Sequence, residues 1–105
     1  MIEFHHNMKL ALLTLDTGAE INVISQQRLL EIFPEQDICQ NDLVSTTSNL
    51  KTADGNKLEC RGRIMLTVII GDNQANLSFY LINSGNVLLV GVEGICQLNL
   101  IINIP

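Results

Sequence analysis

Short runs of apolar residues, each followed by a tight-turn sequence, are the feature that most constrains how this chain folds. Residues 58–70 and 75–82 are rich in isoleucine, leucine and valine, and Gly71-Asp72-Asn73 separates them. β-branched and aromatic residues favour extended backbone, and an Asp or Asn beside Gly favours the tight turn of a hairpin. A second turn sequence, Ala53-Asp54-Gly55-Asn56, precedes the first of these runs. The pattern predicts an all-β protein built from hairpins.

The other elements are predicted from the same kind of pattern. Ser25 precedes a run of good helix formers that ends at Pro34, so it is predicted to cap the N-terminus of a short helix. Residues 87–90 form a continuous apolar run typical of a buried strand, and residues 91–97 are predicted to follow as a short helix. Further strands are predicted at residues 2–5 and 10–15, as a hairpin around a turn at residues 6–9, and at residues 21–24, 43–52 and 98–104.

Size and charge limit the classes of protein to which the chain belongs. Its 105 residues are enough for one domain with a modest core, and we assign residues 1–105 to that domain. Hydrophobic residues make up 47% of the chain and charged residues 16%, which excludes a disordered tail. The apolar runs are too short to span a membrane. A formal net charge of −5 argues against nucleic-acid binding, which depends on Lys and Arg.

Cysteine and histidine usage argues against metals and disulfides. Cys39, Cys60 and Cys96 are an odd number without C-x-x-C spacing, and the two histidines are adjacent. Neither a disulfide framework nor a metal site is predicted, and we expect no cofactor. The first residues lack the basic and long apolar segments of a secretory signal, so we expect an intracellular protein.

One carboxylate has a sequence context that suggests chemistry. Asp16 ends an apolar run and is followed by Thr17 and Gly18. Leu15 and Ile21 flank this segment, which predicts that the carboxylate is partly buried. Gly18 permits a close approach of backbone, and Thr17 supplies a hydroxyl. Taken alone, however, Asp-Thr-Gly is most often an Asx turn without a catalytic role.

Three elements of the chain carry a family resemblance. Asp16-Thr17-Gly18-Ala19 between two apolar runs resembles the active-site signature of retropepsin-like aspartic proteases, in its retroviral and retrotransposon form. Residues 52–68 are similar to the flap hairpin of retrotransposon proteases. Residues 87–95 are similar to the apolar-apolar-Gly element that begins the C-terminal helix of that family and packs behind its catalytic loop. The elements follow in the family's order, and the resemblance covers nearly the whole chain.

The resemblance implies a fold and an activity. The fold is a small closed β-barrel with one or two short helices, one lobe of the enzyme per chain. The activity is that of an aspartic endopeptidase that matures the polyprotein of a retroelement or retrovirus-like source by cleaving extended polypeptide. This chemistry needs two carboxylates that share a proton, one acting as base toward water and the other as acid. Because the chain holds a single Asp-Thr-Gly, an active enzyme is expected to be a homodimer.

The resemblance also implies a role for each residue of the signature. Asp16 of each chain activates the attacking water, Thr17 hydrogen-bonds across the dimer axis, and the Gly18 carbonyl faces the substrate main chain. Ala19 and Glu20 line the cleft, where Glu20 accepts a hydrogen bond from a substrate amide. The flap tip, which closes over the peptide and excludes water, consists of Ala53, Asp54, Gly55 and Asn56.

Two other interpretations remain open. One is a catalytically silent domain of the same fold, kept as a dimerisation or peptide-binding module. Weak support for a dimer favours it. The family often carries Arg or Asp where this chain has Val92 and Glu93, so we expect an ion pair that braces the catalytic loop in viral enzymes to be missing, and Gly94 is expected to shorten or fray the C-terminal helix. The intact Asp-Thr-Gly-Ala argues against it. The other interpretation is an unrelated small β domain whose motifs are only turns. For the protease we expect a cytoplasmic location, including virus-like particles.

Overall fold

The computed structural model describes residues 1–35, 50–51, 57–58 and 60–100. The described part of the chain is mostly β, with two short helices and a sheet curled into a half-barrel, which confirms the all-β prediction. The elements in chain order are β1 (Ile2–Phe4), β2 (Asn7–Lys9), β3 (Thr14–Leu15), β4 (Asn22–Ser25), α1 (Gln26–Ile32), β5 (Leu50–Lys51), β6 (Lys57–Leu58), β7 (Cys60–Ile70), β8 (Asn73–Ile82), β9 (Leu88–Val90) and α2 (Val92–Gln97).

The long hairpin of β7 and β8 forms the middle of the sheet. Gly71 and Asp72 connect the two strands, and Ile70 pairs with Asn73. Gly71 has a φ of +59°, a left-handed conformation that costs other residues roughly 1–2 kcal/mol but costs glycine little. Buried and less buried residues alternate along most of both strands, as expected where a strand buries one face. The predicted hairpin is confirmed, with its second strand beginning two residues earlier than predicted.

The strand order brings the connection between β3 and β4 to one end of β9. The larger sheet has the order β2-β1-β7-β8-β4-β9-β3. β9 therefore lies between β3 and β4, parallel to β3 and antiparallel to β4. Leu15 at the end of β3 pairs with Val90 at the end of β9. Because both strands run in the same direction, Asp16 and Gly91 leave the sheet at the same edge.

A hydrophobic core joins the long hairpin to β1, β4, β9 and both helices. Phe33 and Phe79 are the largest fully buried side chains, and both are 0% exposed. Truncating a buried phenylalanine to alanine typically costs about 3–5 kcal/mol, so each is a strong constraint on this packing. The core cluster consists of Ile2, Phe4, Ile24, Leu29, Ile32, Phe33, Ile64, Leu66, Val68, Leu77, Phe79, Leu81, Leu88, Val90, Ile95 and Leu98.

Helix α1 begins where the sequence predicts. The Oγ of Ser25 accepts a hydrogen bond from the amide of Arg28 at 3.2 Å, which is the predicted N-cap. The same Oγ accepts from the amide of Val87 at 3.0 Å, so the cap also ties the helix to the segment before β9. The helix ends at Ile32, and Phe33 caps it just before Pro34. None of the helices within the described ranges has the length and apolar character needed to cross a membrane.

The first hairpin differs from its prediction. The turn consists of His5 and His6, with φ angles of +50° and +65°, and not of residues 6–9. This two-residue turn pairs Phe4 with Asn7, so the polar residues 7–9 form the second strand. Residues 10–13, predicted as part of that strand, lie outside regular structure, and regular pairing resumes only at Thr14. The prediction of a hairpin was right, but its turn and its second strand were misplaced.

The predictions for residues 43–52 and 98–104 are tested only in part. Leu50 and Lys51 form β5, which pairs with β6, but residues 36–49 lie outside the described part of the chain. Leu98 and Asn99 form a turn after α2 in which Asn99 has a φ of +55°, so a strand does not begin at residue 98. Residues 101–105 lie outside the described ranges.

Candidate active site

Asp16 is held at the end of β3 by the backbone of β9. Its amide donates a hydrogen bond to the carbonyl of Val90 at 3.0 Å, which continues the parallel pairing of the two strands by one residue. The residue is half-buried, as predicted, whereas Thr17 and Gly18 are exposed. The structure therefore places one carboxylate at the edge of the sheet with the following turn open to solvent.

The turn after Asp16 is closed by its own carboxylate. The amide of Gly18 donates to Oδ1 of Asp16 at 2.8 Å, and the amide of Ala19 donates to the Asp16 carbonyl at 3.2 Å. This is the Asx turn that the tripeptide alone predicts. A Cβ at position 18 would lie 3.2 Å from Oδ1, so glycine gives the carboxylate room in this turn. The turn by itself does not separate a catalytic aspartate from a structural one.

The support behind the loop is more specific than the turn. The amide of Val92 donates to the carbonyl of Ala19 at 2.7 Å. A Cβ at Gly91 would lie 2.5 Å from the carbonyl oxygen of Ile21 and 2.7 Å from that of Ala19. No real side chain approaches backbone so closely, so only glycine fits at position 91. The start of α2 thus packs directly against the loop that carries Asp16.

Asn22 is a functional candidate that the sequence analysis missed. The side chain is buried, with 6% exposure, and its Oδ1 accepts a hydrogen bond from the amide of Gly91 at 3.0 Å. Its Nδ2 donates to the carbonyl of Ser78 at 3.2 Å. One amide group therefore connects β4, the start of α2 and β8. The signal available in the sequence was a lone polar residue at the start of an apolar strand.

Gly94 also has a different role from the one that the sequence indicated. The sequence marks it as a weak helix residue, but α2 forms with Gly94 buried inside it. A Cβ at this position would lie 2.6 Å from Oδ1 of Asn22 and 2.6 Å from Cγ1 of Val90. The glycine allows α2 to lie close to the sheet, and this gain in packing offsets its lower helix propensity.

The structure brings together some of the predicted site residues. Asp16, Thr17, Gly18, Ala19 and Glu20 lie in one loop, in which Ala19 is half-buried and Glu20 is exposed. The predicted flap tip lies outside the described residues, so its position relative to this loop is untested. That tip comprises Ala53, Asp54, Gly55 and Asn56.

An apolar surface lies next to Asp16 on the N-terminal side. Leu10 and Leu12 are 87% and 88% exposed, and Leu15, directly before Asp16, is 39% exposed. Together with Leu13 and Ile70 they line an open groove of about 550 Å³, which we call the leucine groove. So much exposed leucine in one segment is uncommon on a monomer and is typical of a surface that contacts another molecule.

Metal ligands and cysteine thiols are the other candidate functional groups in the described part of the chain. No group of three or more His, Cys, Asp or Glu side chains lies close enough there to hold a metal ion. Cys60 and Cys96 are free thiols, and the Sγ of Cys60 contacts the carbonyl oxygen of Gly62 at 3.3 Å. Cys39 lies outside the described ranges.

Comparison with known proteins gives no family assignment. The sequence matches no model of a known protein family, and a search of curated proteins finds no match. Fold and activity are therefore inferred from the residues of this chain.

Proposed function

We propose that this chain is an aspartic endopeptidase with a retropepsin-like closed barrel, active as a homodimer with one Asp16 per chain. The observation that carries the proposal is the support behind the Asp-Thr-Gly loop. An ordinary Asx turn needs only its own hydrogen bonds, whereas this loop rests on Gly91, a glycine that no other residue can replace without a clash. Such fixed support is what a carboxylate needs if it is to meet a partner group with little positional error.

The chemistry requires a second carboxylate. A two-fold axis through the loops would bring two copies of Asp16 together, so that they share one proton. One carboxylate then takes a proton from the attacking water while the other protonates the scissile carbonyl; the leaving amide nitrogen later receives a proton as the bond breaks. The exposed position of Thr17 leaves its hydroxyl free to reach across that axis. Leu15 beside Asp16 offers apolar surface that a second copy would cover.

The substrate would be an extended polypeptide bound as an added strand. Main-chain hydrogen bonds, including those to the Gly18 carbonyl and to Glu20, supply affinity, and pockets for alternate side chains supply specificity. Ala19 would line the cleft, and residues 53–56 would close over the peptide and exclude water. The biological role that fits these features is maturation of a retroelement polyprotein, in the cytoplasm or in virus-like particles.

Cleavage of a diverse peptide library tests the proposal. The purified chain is assayed at high concentration and mildly acidic pH beside two variants, Asp16→Asn and Asp72→Asn. Asp72 is an exposed carboxylate in the β7–β8 turn and serves as the matched control. We expect cleavage by the wild type and the control and none by Asp16→Asn, with all three equally stable to thermal unfolding.

Two other results would change the conclusion. Equal cleavage by Asp16→Asn would contradict the proposal, because the activity would come from another group or from a contaminant. No cleavage by any form, together with a dimer in sedimentation experiments, would instead support the silent dimerisation or peptide-binding module.

A further inference from the structure

A second cavity has a different set of lining residues from the leucine groove. It is a cleft of about 190 Å³ between α2 and the face of the β7–β8 hairpin that points away from the core. We call it the polar cleft. Its lining includes Arg63 and Met65 from β7, Tyr80 from β8, Glu93 and Gln97 from α2, and Ile21 just before β4.

Arg63 has an unusual environment in this cleft. Its Nε is buried and has no hydrogen-bond partner. A buried N–H without an acceptor is rare, because the group has lost its hydrogen bond to water and has formed none within the protein. The ion pairs between described Lys or Arg and described Glu side chains are Lys9–Glu35 and Arg28–Glu31, so no described carboxylate neutralises this guanidinium. Arg63 therefore brings an unpaired positive charge to the cleft.

Glu93 brings the opposite charge to the same cleft. It lies in the first turn of α2, is exposed, and forms no ion pair with a described Lys or Arg. Arg63 and Glu93 thus line one small cavity without neutralising each other. A ligand with a single charge is attracted by one of these side chains and repelled by the other, whereas a ligand with both charges can pair with each of them. The charges favour a ligand that carries both.

We propose that the polar cleft binds a small zwitterion of the α-amino-acid class. The ligand carboxylate pairs with the Arg63 guanidinium, whose planar donors match it in geometry. Its ammonium group pairs with Glu93, while Tyr80 and Gln97 supply further hydrogen bonds. Met65 and Ile21 give an apolar wall for an aliphatic side chain. This site is independent of the proposed peptidase activity, since it uses neither Asp16 nor a second copy of the chain.

Ligands with one charge removed provide the first test. The ¹⁵N-labelled wild-type chain is titrated near neutral pH with L-leucine, with N-acetyl-L-leucine, which lacks the ammonium group, and with L-leucinamide, which lacks the carboxylate. We expect saturable shifts of backbone amides in α2, β7 and β8 with leucine, and binding weaker by about ten-fold or more for each blocked compound. No saturable shift with leucine would overturn the proposal. Equally tight binding of the blocked compounds would also overturn it, because neither the ammonium group nor the carboxylate would then contribute to binding.

Charge-removing variants provide the second test. Arg63→Gln and Glu93→Gln are each expected to weaken leucine binding by about ten-fold. Arg61→Gln and Asp72→Asn remove exposed charges outside the cleft and are expected to bind leucine as the wild type does. Unchanged affinity in both cleft variants would overturn the proposal. If Arg63→Gln does not fold, the titrations of the wild-type chain with leucine and its blocked derivatives still test the proposal.

Discussion

Asn22 accepts a hydrogen bond from the amide of Gly91, and both groups are buried. Gly91 in turn lies against the backbone of Ala19 and Ile21. The side chain of Asn22 therefore fixes the element that supports the Asp16 loop, although it does not touch the carboxylate itself. It is a positioning residue, and its effect on chemistry passes through the backbone of Gly91.

Replacing Asn22 is expected to destabilise the fold. In Asn22→Ala the amide of Gly91 loses its buried acceptor and the carbonyl of Ser78 loses a donor, which costs about 2 kcal/mol of unfolding free energy. Urea denaturation measures this loss. The control is Gln74→Ala on the exposed side of β8, which should change stability by less than about 0.5 kcal/mol. An Asn22→Ala chain as stable as the control would show that the hydrogen bonds contribute nothing.

A methyl group at position 91 is expected to displace the Asp16 loop. In Gly91→Ala the new Cβ meets two carbonyl oxygens and an amide nitrogen at 2.5–2.9 Å, all of them backbone atoms that move only with the loop. We expect a loss of about 2 kcal/mol or more in stability, together with loss of any peptide cleavage. Gly71→Asn serves as control, because that turn has open space and Asn tolerates a left-handed φ. Retained cleavage by Gly91→Ala would contradict the supporting role of this contact.

The elements that the sequence predicted well depend on local chemistry. The turn at Gly71-Asp72 and the cap at Ser25 are each fixed by residues within a few positions of one another, so their signals are visible in a short window. The roles of Asn22 and Gly94 were missed because they arise from contacts between distant segments. Asn22 bonds to residues 56 and 69 positions away, and no local pattern carries that information.

The misplaced first turn has a physical reason of a different kind. Histidine is not among the residues that dominate tight turns, so His5-His6 did not predict a turn at that point. The polar residues Asn7 and Lys9 moved the predicted turn to residues 6–9. Both histidines nevertheless adopt positive φ angles, because the pairing of Ile2 with Lys9 and with Val68 fixes where β1 ends. Tertiary pairing has overridden local preference here.

Ser25 is expected to contribute more than an ordinary helix cap. Its Oγ accepts from the amides of Arg28 and Val87, so Ser25→Ala leaves two backbone donors without this acceptor. Removal of an N-cap serine costs about 0.5–2 kcal/mol, and we expect a loss at the upper end of that range. Thermal and urea unfolding measure the loss beside Ser84→Ala, an exposed serine before β9. A loss no larger than that of the control would show that the second hydrogen bond is without effect.

The stability of the fold is expected to depend on the protonation of Glu31. A hydrogen bond from Gln27, then those from Arg28 and Asn86 and the charge of Arg28, lower the pKa of this carboxyl, and partial desolvation only partly opposes them. A lowered pKa means that the ionised form is favoured in the folded state. The contribution of the ionised Glu31 to folding stability is therefore fully present above its ordinary pKa of 4.5. It is lost as the pH falls through the lower pKa of the folded state. The difference in unfolding free energy between wild type and Glu31→Gln should shrink on acidification. A difference that stays constant down to the lowest pH would contradict this.

Mixing active and inactive chains tests whether each catalytic site contains one Asp16 from each of two chains. If chains exchange freely, a five-fold excess of Asp16→Asn leaves a wild-type chain with a wild-type partner in about one-sixth of its pairings, because partners are drawn at random. Cleavage per wild-type chain should fall to about that fraction. The same excess of Asp72→Asn supplies intact Asp16 and should raise total cleavage. An enzyme that works within one chain would be unaffected by the Asp16→Asn excess, which would exclude the shared dyad while leaving Asp16 itself as the catalytic group.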